Sequence, residues 1–294
     1  MKVLCLDIGG TFIKYALMEE DMQFLSKGKV PTPQEGRAEL IETIGKIYDT
    51  VQPIDGIAIS MPGIIDSDNE YCVMGGALRY NDDFYLRHSL YERCPVKIHM
   101  ENDAKCAAMA EAAEGSLKEV ADGFVLIFGT MIGGAFIKDH KLHRGKHFSA
   151  GEVSYAITIR NGEPFRQNVW GNRCGTPFLC ELYAKKKGLE KESVNGVAVF
   201  DAVSKGDVNA IESLREYTKE IAVQIFNIQT MFDPEKIAIG GGISAQPIFL
   251  EYIREHLKQM YANCIYNVPQ AEVVCAKFQN DANLYGAFQC YLAE

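Results

Sequence analysis

Apolar residues first recur along this chain at the period of β-strands. "KVLCLDIGG" (residues 2–10) is a short apolar run closed by Gly9 and Gly10, the pattern of a buried strand entering a turn. "TFIKYALM" then sets Ile13, Tyr15 and Leu17 on one face and Lys14 on the other, which predicts a second strand. "MQFLSKGKV" supplies a third, so the glycines fall between two strands as a hairpin turn. The period then lengthens: Leu40, Ile44, Ile47 and Val51 stand at helical spacing in "AELIETIGKIYDTV". "DGIAIS" is a buried strand running into Met61-Pro62-Gly63, and "VKIHM" another that runs into the alanine-rich helix "ENDAKCAAMAEAAEG". Residues 207–231 predict a long helix ending near Pro234. "KIAIGGGIS" predicts a strand emptying into three glycines, followed by a helix around 246–260, and "NDANLYGAFQCYL" predicts a final helix. Strands alternating with helices predict an α/β fold.

Residues 122–144, "DGFVLIFGTMIGGAFIKDHKLHR" and the glycine after it, repeat the opening plan of strand, glycine turn, strand, short turn and strand. Aligning Gly10-Thr11 with Gly129-Thr130 places Asp7 opposite Leu126. Two hairpins of one design, each opening its half of the chain, predict two related domains with a hinge near Gly115 to Gly123. A strand after the glycines excludes both a Rossmann fingerprint and a Walker A loop, each of which needs a helix there. Taken alone, the first turn is equally well explained as a plain hairpin. As a pair facing each other across a cleft, the two turns would clamp a polyphosphate with backbone N–H groups. Only the first carries an acid, the asymmetry a metal-nucleotide calls for.

The bulk numbers narrow the partners. At 294 residues, 47% hydrophobic and 23% charged, the chain has the composition of a globular protein with room for two domains. A formal net charge of -9 argues against a broad nucleic-acid surface but leaves room for a phosphorylated ligand. Nine cysteines without a CxxC pair predict reduced thiols and a cytoplasmic location. Asp7 interrupts the first apolar run, so that run reads as no secretory signal, and no run approaches the roughly 18 residues of a membrane span.

"DIGGT" with Lys14, "ENDA", "GTMIGG", "AGEVSY" and "GGGIS", in this order and spacing, resemble the ROK family (repressors, open reading frames, kinases) over essentially the whole chain. The family is a branch of the sugar kinases in the actin/hexokinase/Hsp70 superfamily. The resemblance implies two actin-like (ribonuclease H-like) domains with a cleft between them, residues 1–118 and 119–280, with a helix over 281–294 packing back on the first. ROK repressors carry a DNA-binding helix-turn-helix before the first strand. Here that strand begins at residue 2, so the kinase side of the family is expected. The expected activity is transfer of the γ-phosphate of ATP, with Mg²⁺, onto a sugar hydroxyl, the 6-hydroxyl of glucose or a β-glucoside first. N-acetylmannosamine and fructose are the alternative acceptors, and a non-catalytic sugar sensor is the rival of another class. A homodimer is the expected assembly.

The resemblance also implies roles. Phosphoryl transfer needs positioning, charge neutralisation and a base for the hydroxyl proton. Asp103 of "ENDA" corresponds to the base and also touches the sugar, although an Asp there could equally be a helix N-cap. Asn102 would hydrogen-bond sugar hydroxyls, with Gly63, Glu152 and Glu181 lining the same pocket. Asp7 would hold Mg²⁺ through water. Gly9, Gly10, Thr11 and Lys14 would meet the phosphates, as would Gly129, Thr130, Gly133 and Gly134, while Gly240, Gly241 and Gly242 would face the adenosine. One motif departs from the family. The histidine and three cysteines that bind structural zinc there correspond to Tyr155, Asn172, Cys174 and Leu179 here. One ligand of four cannot hold the ion, so no structural zinc is expected. Packing by Phe165, Trp170, Phe178 and Leu179 would replace it, and Cys174→Ser would cost little. A rearranged site joining Cys174 to Cys180, His143 and His147 is the alternative.

Overall fold

The computed structural model describes residues 1–158 and 168–294, so Phe165 lies outside the described residues. The chain divides into two compact units. The first comprises Met1–Gly115, Leu142–Ala150 and Asn280–Glu294; the second comprises Ser116–Lys141 and Gly151–Gln279.

In the first unit, β1 (Lys2–Ile8), β2 (Phe12–Glu19) and β3 (Phe24–Pro31) form an antiparallel meander. Helix α1 (Arg37–Val51) returns the chain to β4 (Gly56–Met61) beside β1. After a small hairpin of β5 (Ile64–Asp66) and β6 (Tyr71–Met74), α2 (Leu86–Arg93) returns it to β7 (Lys97–Asn102). The sheet order is β3-β2-β1-β4-β7, with β1, β4 and β7 parallel. Parallel strands need both faces covered, which is why all six residues of β4 are buried. One face packs Leu4, Leu6, Ile57 and Ile59 against α1 and α2. The other packs Val3, Cys5 and Ala58 against α9 (Ala282–Leu292). Helix α3 (Asp103–Glu114) follows β7 directly and touches α9 so closely that a Cβ on Gly286 would overlap the carbonyl of Cys106.

The second unit repeats the plan. Strands β8 (Gly123–Phe128), β9 (Ile132–Lys138) and β10 (Lys141–His143) lead a sheet of order β10-β9-β8-β11-β12, with β11 (Lys236–Gly240) and β12 (Glu272–Cys275) parallel to β8; of β10, only Lys141 falls in the second unit. Its helices are α4 (Trp170–Cys174), α5 (Thr176–Lys187), α6 (Gly196–Ser204), α7 (Val208–Phe232) and α8 (Pro247–Ala262). Asp207 caps α7 by accepting from the backbone N–H groups of Asn209 (2.9 Å) and Ala210 (3.3 Å). Asp233, in the left-handed region, ends it just before Pro234. Among the described residues no helix is long and apolar enough to cross a membrane.

Both faces of β2 are used: Ile13 and Tyr15 enter one core, while Ala16 and Met18 enter the other. One expectation changes. The hairpins differ by a residue. Ile8 pairs with Ile13 across the first turn, but Phe128 pairs with Ile132 across the second. Counting back from the strand ends sets Asp7 opposite Ile127 rather than Leu126, and the acid still has no counterpart.

Candidate active site

Asp7 and Asp103 stand at the C-terminal ends of two parallel strands, β1 and β7, that flank β4. Asp7 is the penultimate residue of β1 and is buried. Its Oδ2 accepts from Lys14 Nζ at 3.1 Å, its cross-strand partner, and its Oδ1 accepts from Asn283 Nδ2 at 2.9 Å. A carboxylate offers about four lone-pair sites, so Asp7 retains acceptors for the water shell of a Mg²⁺ ion.

Asp103 is the first residue of α3, and the cap is Asn102. Asn102 Oδ1 accepts from Lys105 N (3.1 Å), while its Nδ2 donates to Gly63 O (2.8 Å) and Asp103 Oδ1 (3.1 Å). The capping role weighed for Asp103 thus falls to its neighbour. Burial pushes that carboxyl up to about 6, and the nearby Asp7 charge adds to the lift. The Ala104 backbone N–H, donating to Oδ1 at 2.8 Å, Lys105 and Asn102 oppose it. A carboxylate of that strength is a better proton acceptor at neutral pH than an ordinary Asp. Gly63 supports the arrangement in a left-handed conformation (φ 107°), where a Cβ would overlap the carbonyl of Met74.

Sequence reasoning missed Lys105. Its side chain has no accessible surface, and its Nζ donates to Phe148 O at 2.9 Å, holding the 142–150 segment on the first unit. A second anchor, Arg144 Nε to the buried Glu101 at 2.6 Å, holds the same segment. A lysine inside an alanine-rich helix was the available signal. Removing its charge in Lys105→Met should let the Asp103 carboxyl rise further. If Asp103 is the base, the acid limb of the kcat/KM–pH profile then moves to higher pH, and an unmoved limb would show that Lys105 does not act on Asp103.

The glycine turns differ in detail but leave the same donors. Around Gly9 the carbonyls are occupied: Gly9 O by Thr32 Oγ1 (2.6 Å), Gly10 O by Gln34 Nε2 (2.9 Å) and Thr11 O by Thr32 N (2.9 Å). Among the described residues the N–H groups of Gly10 and Thr11 donate to no protein acceptor. In the second unit Gly129 N donates to Met131 O (3.0 Å) and Gly129 O accepts from Thr176 N (2.8 Å). There the N–H groups of Thr130 and Met131 are the ones without a protein acceptor among the described residues. Gly133 and Gly134 lie within β9, and Gly134 is needed for packing, since a Cβ on it would press on Gly151 and Val153. Gly240 ends β11; Gly241 (φ 90°) abuts Phe128, and a Cβ on Gly242 would meet nothing within 4 Å.

Glu152 follows Gly151 and starts a short 3₁₀ turn in the second unit. Glu181 is on the exposed side of α5, ion-paired with Lys191 at 2.6 Å. Tyr155 and Asn172 are exposed, Leu179 is in the core, and Cys174 is buried with its thiol pushed up to about 12 by that burial. No group of three or more metal-ligating side chains among the described residues includes Cys174 or Cys180. Cys174→Ser would bury a hydroxyl, so its cost is about 1–3 kcal/mol rather than negligible.

Two sheets of one plan, each opening with a glycine hairpin, and a strand-to-helix aspartate define an actin-like phosphotransferase fold. The chain belongs to the ROK family, which matches residues 3–294, and within it is a sugar kinase using ATP. It is 34% identical to a Beta-glucoside kinase of Klebsiella pneumoniae over 259 residues, 87% of each chain. It is 30% identical to a Beta-glucoside kinase of Listeria monocytogenes, covering 100% of this chain and 98% of that one. A solved ROK family protein of Streptococcus pneumoniae, in complex with sucrose, superposes with a TM-score of 0.89 at 27% identity, covering 100% and 98% of the two chains.

Proposed function

We propose that this protein transfers the γ-phosphate of ATP, with Mg²⁺, to the 6-hydroxyl of glucose or a β-glucoside, with Asp103 as the general base. The observation that carries the reading is the Asp103 carboxyl, held by Ala104 N and Asn102 Nδ2 and pushed up to about 6 beside Asp7. Ionised at neutral pH, it accepts the hydroxyl proton as the oxygen attacks phosphorus. Gly10 and Thr11 in one unit, and Thr130 and Met131 in the other, offer N–H donors to phosphate oxygens. Lys14 adds a positive charge beside Asp7. The remaining acceptors of Asp7 suit Mg²⁺ held through water, and the ion would neutralise phosphate charge. Gly63, Asn102, Glu152 and Glu181 are the proposed sugar-side residues. Asn102 Oδ1 and the Glu181 carboxylate each keep acceptor capacity beyond their present bonds to Lys105 N and Lys191. The similarity to two β-glucoside kinases, and to a relative that holds a disaccharide, supports a glucoside acceptor. Nine free cysteines support a reducing, cytoplasmic setting, and the family resemblance supports a homodimer.

An ADP-release assay over hexoses, N-acetylhexosamines and β-linked disaccharides tests this. We expect Mg²⁺-dependent release with the highest kcat/KM on a β-glucoside. A higher value on an N-acetylhexosamine or fructose would move the acceptor. Calorimetric binding of a sugar that stimulates no ADP release would make the protein a sensor.

A further inference from the structure

Away from Asp7 and Asp103, the first unit contains a second polar cluster that phosphoryl transfer does not use. His99 projects from β7 with no accessible surface, and its Nδ1 lies 2.9 Å from Glu294 Oε1. Among the described residues neither ring nitrogen makes a hydrogen bond of sound geometry. Glu70 reaches the same point from the β5–β6 turn, where its own backbone is left-handed (φ 52°) and its side chain is 4% exposed. One ligand atom from each of Glu70, His99 and Glu294 lies within 4.8 Å of the other two.

We propose that Glu70, His99 and Glu294 form a binding site for a divalent transition-metal ion. A buried imidazole is normally satisfied by a hydrogen bond or a metal. Here the nearest groups are carboxylates, and one imidazole with two carboxylates is a donor set for zinc, cobalt or manganese rather than for calcium or magnesium. Ligand atoms around a tetrahedral ion at about 2.0–2.1 Å stand roughly 3.3–3.5 Å apart, so closure from the observed spacing takes small side-chain movements. The neighbouring cations do not block the site. Arg144 is held by Glu101, and Lys97 lies over the Tyr291 ring. Arg87 pairs with Glu70 but is half exposed, so it can withdraw to water at little cost. It serves as the site's counter-charge when no ion is bound. The consequence is a cross-link between the β5–β6 hairpin, β7 and the segment after α9, three elements far apart in the chain.

Cobalt(II) titration of metal-stripped protein, without nucleotide or sugar, tests the proposal. We expect one Co²⁺ per chain, visible d–d bands, no thiolate charge-transfer band, and displacement by Zn²⁺. Glu294→Gln should weaken binding at least about 10–100-fold, the loss that even an outer-shell partner causes, and His99→Gln should abolish it. The Glu294 side chain is 34% exposed, so that variant reads out even if His99→Gln does not fold. No saturable d–d absorption in the wild type would overturn the site. A thiolate band would instead place the ion on cysteines such as Cys174, Cys264 or Cys275. Unchanged affinity in folded Glu294→Gln would also overturn it, leaving the cluster a proton-sharing contact only.

Discussion

Asp103→Asn should lower kcat by roughly 10²–10⁴-fold while ATP and sugar binding stay largely intact. The amide keeps the size of the carboxyl and can still accept from Ala104 N and Asn102 Nδ2, but it cannot take a proton from the sugar. The same substitution should stabilise the protein. With its carboxyl at about 6 in the folded state, above the usual 3.8, the native protein binds more protons than the unfolded chain between those values. Its stabilising contribution is therefore complete below about pH 4 and lost as pH rises through about 6. Above that, keeping the charge costs up to about 3 kcal/mol, at 1.36 kcal/mol per pKa unit. Urea unfolding near pH 8 should show Asp103→Asn more stable than wild type by up to that amount, with the gain vanishing near pH 4. Near-normal turnover would remove Asp103 from the mechanism. An unchanged stability difference across that pH range would mean that its carboxyl is not lifted.

Trp170→Ala should destabilise the protein by about 3–5 kcal/mol, the usual cost of emptying an aromatic core site. Trp170 is 1% exposed and packs edge-on to Phe128 at 6.4 Å, with Leu179 fully buried and Phe178 partly buried in the same core. These are the side chains expected to supply the packing that zinc supplies in the family. The same packing reaches the second glycine turn. Gly171, next to Trp170, abuts Met131, and α5 begins with Thr176 N donating to Gly129 O at 2.8 Å. A collapsed Trp170 site should therefore also raise KM for ATP more than KM for sugar. Chemical denaturation and nucleotide titration check both parts. A loss below about 1 kcal/mol would show that the ring adds little to that core.

Much of the architecture was legible from residue order. Strand runs, glycine turns and the repeat of one hairpin plan are local patterns, and both sheets follow them. "ENDA" marked a strand-to-helix junction, and that is where Asp103 stands. Other features had no local signal. Segment 142–150 lies between stretches of the second unit yet groups with the first, because Lys105 and Arg144 anchor it there.

What the sequence by itself determined is therefore the two opening hairpins, the main strands and helices around them and the acids at two strand ends, all functions of side-chain period and backbone turn preference over a few residues. The β5–β6 hairpin, α2, α4 to α6 and β12 carried no such signal. The tertiary structure alone decided which polar groups meet. Asp7 finds Asn283 from 276 positions away, Glu181 finds Lys191, and His99 lies between Glu70 and Glu294. Such meetings depend on strand order and on how helices seat on a sheet. A burial pattern constrains which face turns inward, but not which distant side chain will be opposite it.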